Sequence, residues 1–169
     1  PRPELQAADL PAPIARAVET IGGPGIQVEG DDTVVVRAGG QEVRVRIKIA
    51  ADASDAVATH DFQADRGLTH ATVWLSPHAR RGDLARAVAH ELAEIHALLV
   101  DPLREDRDAE LRVGSRVSDP AALNHHDLGR VAELKVLMRD LDEAAPEDRA
   151  DIEHEIGALM MHLGFQWGG

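Results

Sequence analysis

Between Thr33 and Leu75 apolar residues recur at every second position within short runs, whereas from Asp83 onward they recur every three or four. The first period belongs to strands and the second to helices. A chain that keeps the two in separate stretches reads as α+β. The strand period is cleanest in Glu42–Ile49: Val43, Val45, Ile47 and Ile49 point one way, and Arg44, Arg46 and Lys48 the other. That alternation predicts a sheet with one wet face. Thr33–Arg37 precedes it, and Ala38-Gly39-Gly40-Gln41 between the two runs is a hairpin signal. Ala56–Gln63 and Thr69–Leu75 read as a second strand pair around Ala64-Asp65-Arg66-Gly67.

Helices are expected on both sides of this block. Residues 9–23 read as the first, with Asp9 as its cap, Pro11 and Pro13 in its first turn, Ile14, Val18 and Ile21 on one face, and Gly22-Gly23 at its end. Asp83–Val100 carries the stripe Leu84, Val88, Leu92, Ile95 and Leu99, and Asp101-Pro102 closes it. A further helix over 124–143 carries Val131, Leu134, Leu137, Met138 and Leu141. The last starts at Pro146, carries Ile152, Ile156, Leu159 and Leu163, and ends at Gly164. Residues 101–120 have no stable period and read as a long polar loop. The expected architecture is an antiparallel or mixed sheet of four to five strands followed by three C-terminal helices. It forms a single domain over 1–169, with an N-terminal helix in 1–25, the sheet in 26–75 and the helical part in 76–164.

Composition narrows the chemistry. A chain of 169 residues can bury a core without staples. Cysteine is absent, which excludes disulfides, a thiol nucleophile and thiolate-bound metals. A metal would have to be held by His, Asp and Glu. The net charge of −12, with two Trp, two Phe and no Tyr, points away from nucleic acid as a partner. No apolar run approaches the ~20 residues that span a bilayer, so no membrane role is expected. The start at Pro1 lacks the basic and apolar regions of a secretory signal and has no initiator Met. The sequence predicts a soluble fragment or processed chain.

Chemistry concentrates in Ala89-His90-Glu91-Leu92-Ala93-Glu94-Ile95-His96, midway along the strongest helix. Glu91 falls inside the apolar stripe, where an ionised carboxylate is costly unless paired or bound to a metal. His90 and Glu94 lie one turn apart at its border, and His96 points to a different face. Ligands at i and i+4 on a helix can reach one ion, and the residue after the first can act as a base beside it. The following helix begins Asn124-His125-His126-Asp127-Leu128-Gly129-Arg130, with His126, Arg130 and Glu133 in line along its own border. If the two stripes pack together, His90, Glu91 and Glu94 should face His126, Arg130 and Glu133, with His90 and His126 within about 5 Å. His126 is preferred over His125 because it lines up with Arg130 and Glu133. The expected roles are His90, Glu94 and His126 as zinc ligands, Glu91 as general base and Arg130 as oxyanion partner. The rival reading is a protein-interaction domain in which a buried His/Glu/Arg network, or a structural metal, fixes the helix packing. In it Glu91 pairs with an arginine across the core, and Arg130 pairs with Glu133. His60, His70 and His78 near the strand pair, and His154-Glu155 on the last helix, are weaker candidates.

The strand Thr69–Leu75, the helix with His90-Glu91-Leu92-Ala93-Glu94 and the histidine on the next helix together resemble the zincin metallopeptidases, whose active-site helix carries His-Glu-x-x-His. The resemblance covers about residues 69–140 and departs at Glu94, which stands where the second histidine would be. It implies a zinc-dependent hydrolase of peptidase or amidase type with a protein or peptide substrate. An anionic ligand in that place makes the metal a weaker Lewis acid, so the departure bears on hydrolysis more than on metal binding. The pairing of His-Glu with a later His-Asp-x-x-Arg-x-x-Glu-Leu also looks like C-terminal modules of bacterial polymorphic toxins. That likeness implies an effector or toxin domain of a larger protein that is secreted or delivered.

Overall fold

A computed structural model of the chain describes residues 3–52, 56–63, 66–102 and 123–163. Helix α1 spans Pro11–Ile21. It is followed by strands β1 Ile26–Val28, β2 Thr33–Ala38, β3 Gln41–Ile49, β4 Ala58–His60 and β5 His70–Leu75, then helices α2 Leu84–Val100, α3 His125–Glu143 and α4 Pro146–His162. The fold is α+β, as its separated periods require. The five strands form one mixed sheet in the order β1-β2-β3-β5-β4. Gly39 and Gly40 both adopt positive φ (58° and 80°) and join β2 to β3, the pairing of positive φ values that a tight two-residue hairpin demands. β5 lies parallel to β3, and β4 folds back antiparallel on the outside of β5 as an edge strand.

One face of the sheet is dry. Val34, Val36, Val43, Val45, Ile47, Val73 and Leu75 are buried there, and Arg44, Arg46 and Lys48 face water. Helices α1 and α2 cover the dry face, and α2 is the centre of the molecule, packing on the sheet, α1 and α3. Its Leu84, Val88, Leu92, Ile95 and Leu98 join the core built on the sheet. Helix α3 is further tied to α1 by Arg16, whose guanidinium binds Asp140 at 2.6 Å and Glu143 at 2.9 Å.

Several boundaries differ from the expected ones. Asp9 does not cap α1: its carboxylate accepts from the Gln6 N–H at 2.7 Å and closes a 3₁₀ turn over Ala7–Asp9, and α1 begins at Pro11. Only Ala58–His60 of the expected 56–63 run pairs as a strand. Asp61 instead bends its side chain onto the Thr72 N–H at 2.7 Å. β1 adds a three-residue strand too short to show a period. The buried face of α3 is Gly129, Ala132, Val136 and Leu137, whereas Met138 is 57% exposed. At Gly129 a side chain has no room because one of α2's own bulky polar side chains, His90, already fills that contact. Residues 103–120 of the expected loop, Ala64 and Asp65 of the expected turn, and the Gly164 stop lie outside the described residues.

Candidate metal centre

Two local devices bring the polar borders of α2 and α3 together. The first is the start of α3. Asn124 caps it, accepting from the Asp127 N–H at 2.9 Å, while the Asp127 carboxylate accepts from the Asn124 N–H at 3.1 Å. This reciprocal box satisfies two orphan donors of the first turn and fixes where His125 and His126 emerge. The second is Gly129. A Cβ built there would lie 2.8 Å from Cδ2 and Nε2 of His90. Only glycine leaves room for an imidazole between the helices.

The convergence centres on Glu94, 3% exposed. Its Oε1 accepts from His90 Nε2 at 2.8 Å and from His126 Nδ1 at 2.7 Å, and its Oε2 accepts from His60 Nε2 at 3.0 Å. His90 reaches across to α3 with its other nitrogen, which donates to Glu133 Oε2 at 3.0 Å. Glu91 lies beside this group, its Oε2 3.7 Å from His60 Nε2. Ligand atoms of His90, Glu94 and His126 all fall within 4.8 Å of one another. The expected approach of His90 and His126 is therefore present, and it is His126 rather than His125 that reaches Glu94. Glu133 also joins the cluster, as the partner of His90.

Other expected neighbours are arranged differently. Arg130 gives its Nη1 to Asp127 at 3.2 Å, one turn back on the same helix, rather than to Glu133. It does not line the small cleft of about 170 Å³ beside Glu91, whose walls are Val57, Ala58, Ala87, His90, Glu91 and Glu133. Among the described residues Glu91 has His60, His90 and Glu94 for charged neighbours rather than an arginine. The buried network is thus made of histidine and glutamate, with no arginine among its described members. His70 bonds the Thr69 hydroxyl and His78 approaches Glu4, so neither joins the cluster. His96 faces the Gly25 loop, as its position on α2 implied.

His60 is the participant that sequence reasoning ranked only among the weaker candidates. It pairs with Val73 across the β4–β5 ladder. Register partners share a face of the sheet, so a residue opposite the buried Val73 must point toward the helices. That signal exists only once the register is known.

Electrostatics follow from crowding acids and bases out of water. Burial pushes the Glu94 carboxyl up, but hydrogen bonds from His126, His60 and His90 outweigh it and hold the group well below the carboxylate range. Burial pulls His90 down, and its bonds to Glu133 and Glu94 overcome this, raising it to about 10. His60 is raised in the same way, chiefly by its bond to Glu94 against the desolvation that lowers it. Glu91 is raised to about 7, by burial first and then by the charge of Glu94, with His60 and His90 pulling the other way. The cluster thus pairs one firmly ionised carboxylate with one poised near neutrality, which is how acid and base roles are separated in a shared site.

As a metal centre the donor set is chemically apt. Two imidazole nitrogens and one carboxylate oxygen suit zinc, and an imidazole whose second nitrogen donates to a carboxylate is the usual support for a metal-binding histidine. Ligands on a tetrahedral zinc stand about 3.3 Å apart. The pairs here stand at 2.7 and 2.8 Å, held by shared protons. Comparison with protein-family models, with characterised proteins and with solved structures gave no match, so the reading rests on the site's own chemistry.

Two outcomes test this geometry. Gly129→Ala should gain about 1 kcal/mol of helix propensity at an unconstrained position, but here the methyl must displace His90, so the variant should melt lower than the parent. A rise in melting temperature would mean the helices are not in this contact. The second outcome concerns pH in the presence of chelator. His90 titrates near 10 when folded against an ordinary 6.5, so its stabilisation is complete below 6.5 and is lost as pH rises toward 10. Glu91 titrates near 7 against 4.5, so ionising it costs stability as pH climbs through that interval. Glu94 acts oppositely, its stabilisation being lost as pH falls below 4.5. Thermal melts should therefore show the chelated protein more stable at about pH 6 than at about pH 9, and Glu94→Gln should flatten the difference.

Proposed function

We propose that this chain is a zinc-dependent hydrolase of peptidase or amidase type, with His90, Glu94 and His126 as the metal ligands and Glu91 as the general base. The observation that carries the reading is a buried carboxylate at a helix seam with histidines from α2 and α3 converging on one of its oxygens. Zinc bound there would lower the pKa of a water toward about 7 and polarise a carbonyl. The side chains supply the rest. Glu91 stands one residue after the first ligand, lines the cleft beside His90, and has a carboxyl poised near 7. It can accept a proton from the attacking water and return it to the leaving amine. Glu133 holds the His90 ring in orientation through Nδ1. Arg130, the expected oxyanion partner, is bonded to Asp127 and does not line the cleft, so no step of the reaction is assigned to it. The cleft is shallow, which suits a chain segment lying across it better than an enclosed small molecule.

One observation favours a second reading. His90, His126 and His60 each have a carboxylate partner, so the network is satisfied by protons alone. On that reading it fixes the packing of α2 on α3 and the domain serves as an interaction module.

Metal content separates the two. Protein purified without chelator should carry one transition metal ion per chain by elemental analysis, and zinc added to stripped protein should raise its melting temperature. No bound metal and no thermal shift would leave only the network. Glu91→Gln then separates catalysis from structure. It should retain fold and metal while hydrolysis of a mixed peptide library, read by mass spectrometry, falls by ~10²-fold or more. Unfolding of this variant would instead assign Glu91 to the structural network.

A further inference from the structure

Glu94 turns its two oxygens to different sides, Oε1 toward His90 and His126 and Oε2 toward His60. Ligand atoms of His60, Glu91 and Glu94 also lie within 4.8 Å of one another. Distances alone would therefore allow a second cation there, bridged to the first by Glu94. The far nitrogen of His60 decides against it. His60 Nδ1 accepts from the Phe62 backbone N–H at 3.1 Å. An accepting ring nitrogen holds a lone pair, so the ring proton sits on Nε2, directed at Glu94. A metal on Nε2 would need a lone pair there as well, leaving the ring without either proton.

We propose that His60 is a positioning residue whose Nε2–H pins Oε2 of Glu94, so that Glu94 offers Oε1 alone to an ion held with His90 and His126. The inference rests on the metal reading above and adds its coordination number. Hydrogen-bonded carboxylate ligands are the rule around metal sites, because the outer bond fixes which oxygen faces the ion. With Glu94 monodentate, three protein donors leave one position of a four-coordinate zinc open, as catalysis requires and a closed structural site forbids. Freed from His60, the carboxylate can swing both oxygens to the ion and, with the open position still held by solvent, raise its coordination number from four to five. The clamp comes from β4, and its register opposite Val73 aims it at the helix face.

The test is cobalt(II) substitution of the full chain, read by visible absorption, which is several-fold stronger for four-coordinate than for five-coordinate cobalt. Two variants divide the functions of His60. His60→Asn places an amide oxygen where Nδ1 accepts from Phe62 but cannot reach Glu94. His60→Gln places an amide N–H where Nε2 stands. The parent and His60→Gln should give the strong four-coordinate spectrum, and His60→Asn should lose intensity several-fold while still binding one cobalt. A His60→Asn spectrum equal to the parent's would overturn the proposal, as would a weakened His60→Gln spectrum or two cobalt ions per parent chain. Circular dichroism of each variant confirms folding. If His60→Asn does not fold, the X-ray absorption coordination number of His60→Gln decides, four supporting the clamp and five refuting it. Failure of the parent to bind cobalt at all would be a different result, because it removes the metal reading itself.

Discussion

A carboxylate taken out of water costs several kcal/mol unless its charge is met, and Glu94 is met from three directions. The partners come from three elements: His90 on its own helix, His126 on α3, and His60 on the edge strand β4. Removing any one leaves a buried charge short of a donor, which is more costly than never having buried it. The interaction therefore does more than join two residues. It sets how closely α3 approaches α2 and how β4 sits over the helix, and it requires an imidazole in the helix seam. The glycine at 129 is the packing consequence of that imidazole.

Helix α2 can carry such a load because it is central. Its Leu92, Ile95 and Leu98 are buried in the core under the sheet, and Glu91 and Glu94 emerge where the sheet edge meets α3. The burial that secures the helix is the same burial that raises Glu91, and the histidines that neutralise Glu94 leave Glu91 with only partial compensation. Two carboxylates one turn apart therefore differ in protonation because one faces hydrogen-bond donors and the other faces chiefly an apolar wall and a like charge.

Periodicity was enough to read most of this fold from the residues, since one-sided strands and helices announce themselves by their buried stripe. The hairpin at Gly39-Gly40 and the extents of α2, α3 and α4 are local facts, and local signals carried them. The metal-like set on α2 and α3 was legible for the same reason: a charged residue inside an apolar stripe is anomalous wherever it occurs, and His126 aligns with a border that had to meet it. What stayed hidden was non-local. Nothing near His60 in the chain states that β4 lies against β5 with His60 opposite Val73. Likewise the need for glycine at 129 is set by the bulk of His90 on another helix, and Met138, which shares the expected stripe, lies in water. Arg130 has two acids within one turn, Asp127 and Glu133, and spacing alone does not choose between them. The choice is made by His90, which takes Glu133 and leaves Asp127 to the arginine.

The glutamate at 94 also bears on how such a site could assemble before any ion arrives. Were this residue an imidazole, His90, His126 and His60 would converge on a group with no negative charge to offer them, and their protonated forms would repel one another. The helices could then close only around a metal. A carboxylate reverses the order of events. It accepts hydrogen bonds from all three rings, so the seam closes as a folded network in which the ligand atoms of His90, Glu94 and His126 already lie within 4.8 Å of one another. Under the function proposed here, an ion entering the site displaces protons from nitrogens that the fold has already aimed, and the ordering of ligands has been met by folding rather than by binding. On that reading, the carboxylate that would make the metal a weaker Lewis acid also lets the network exist without it.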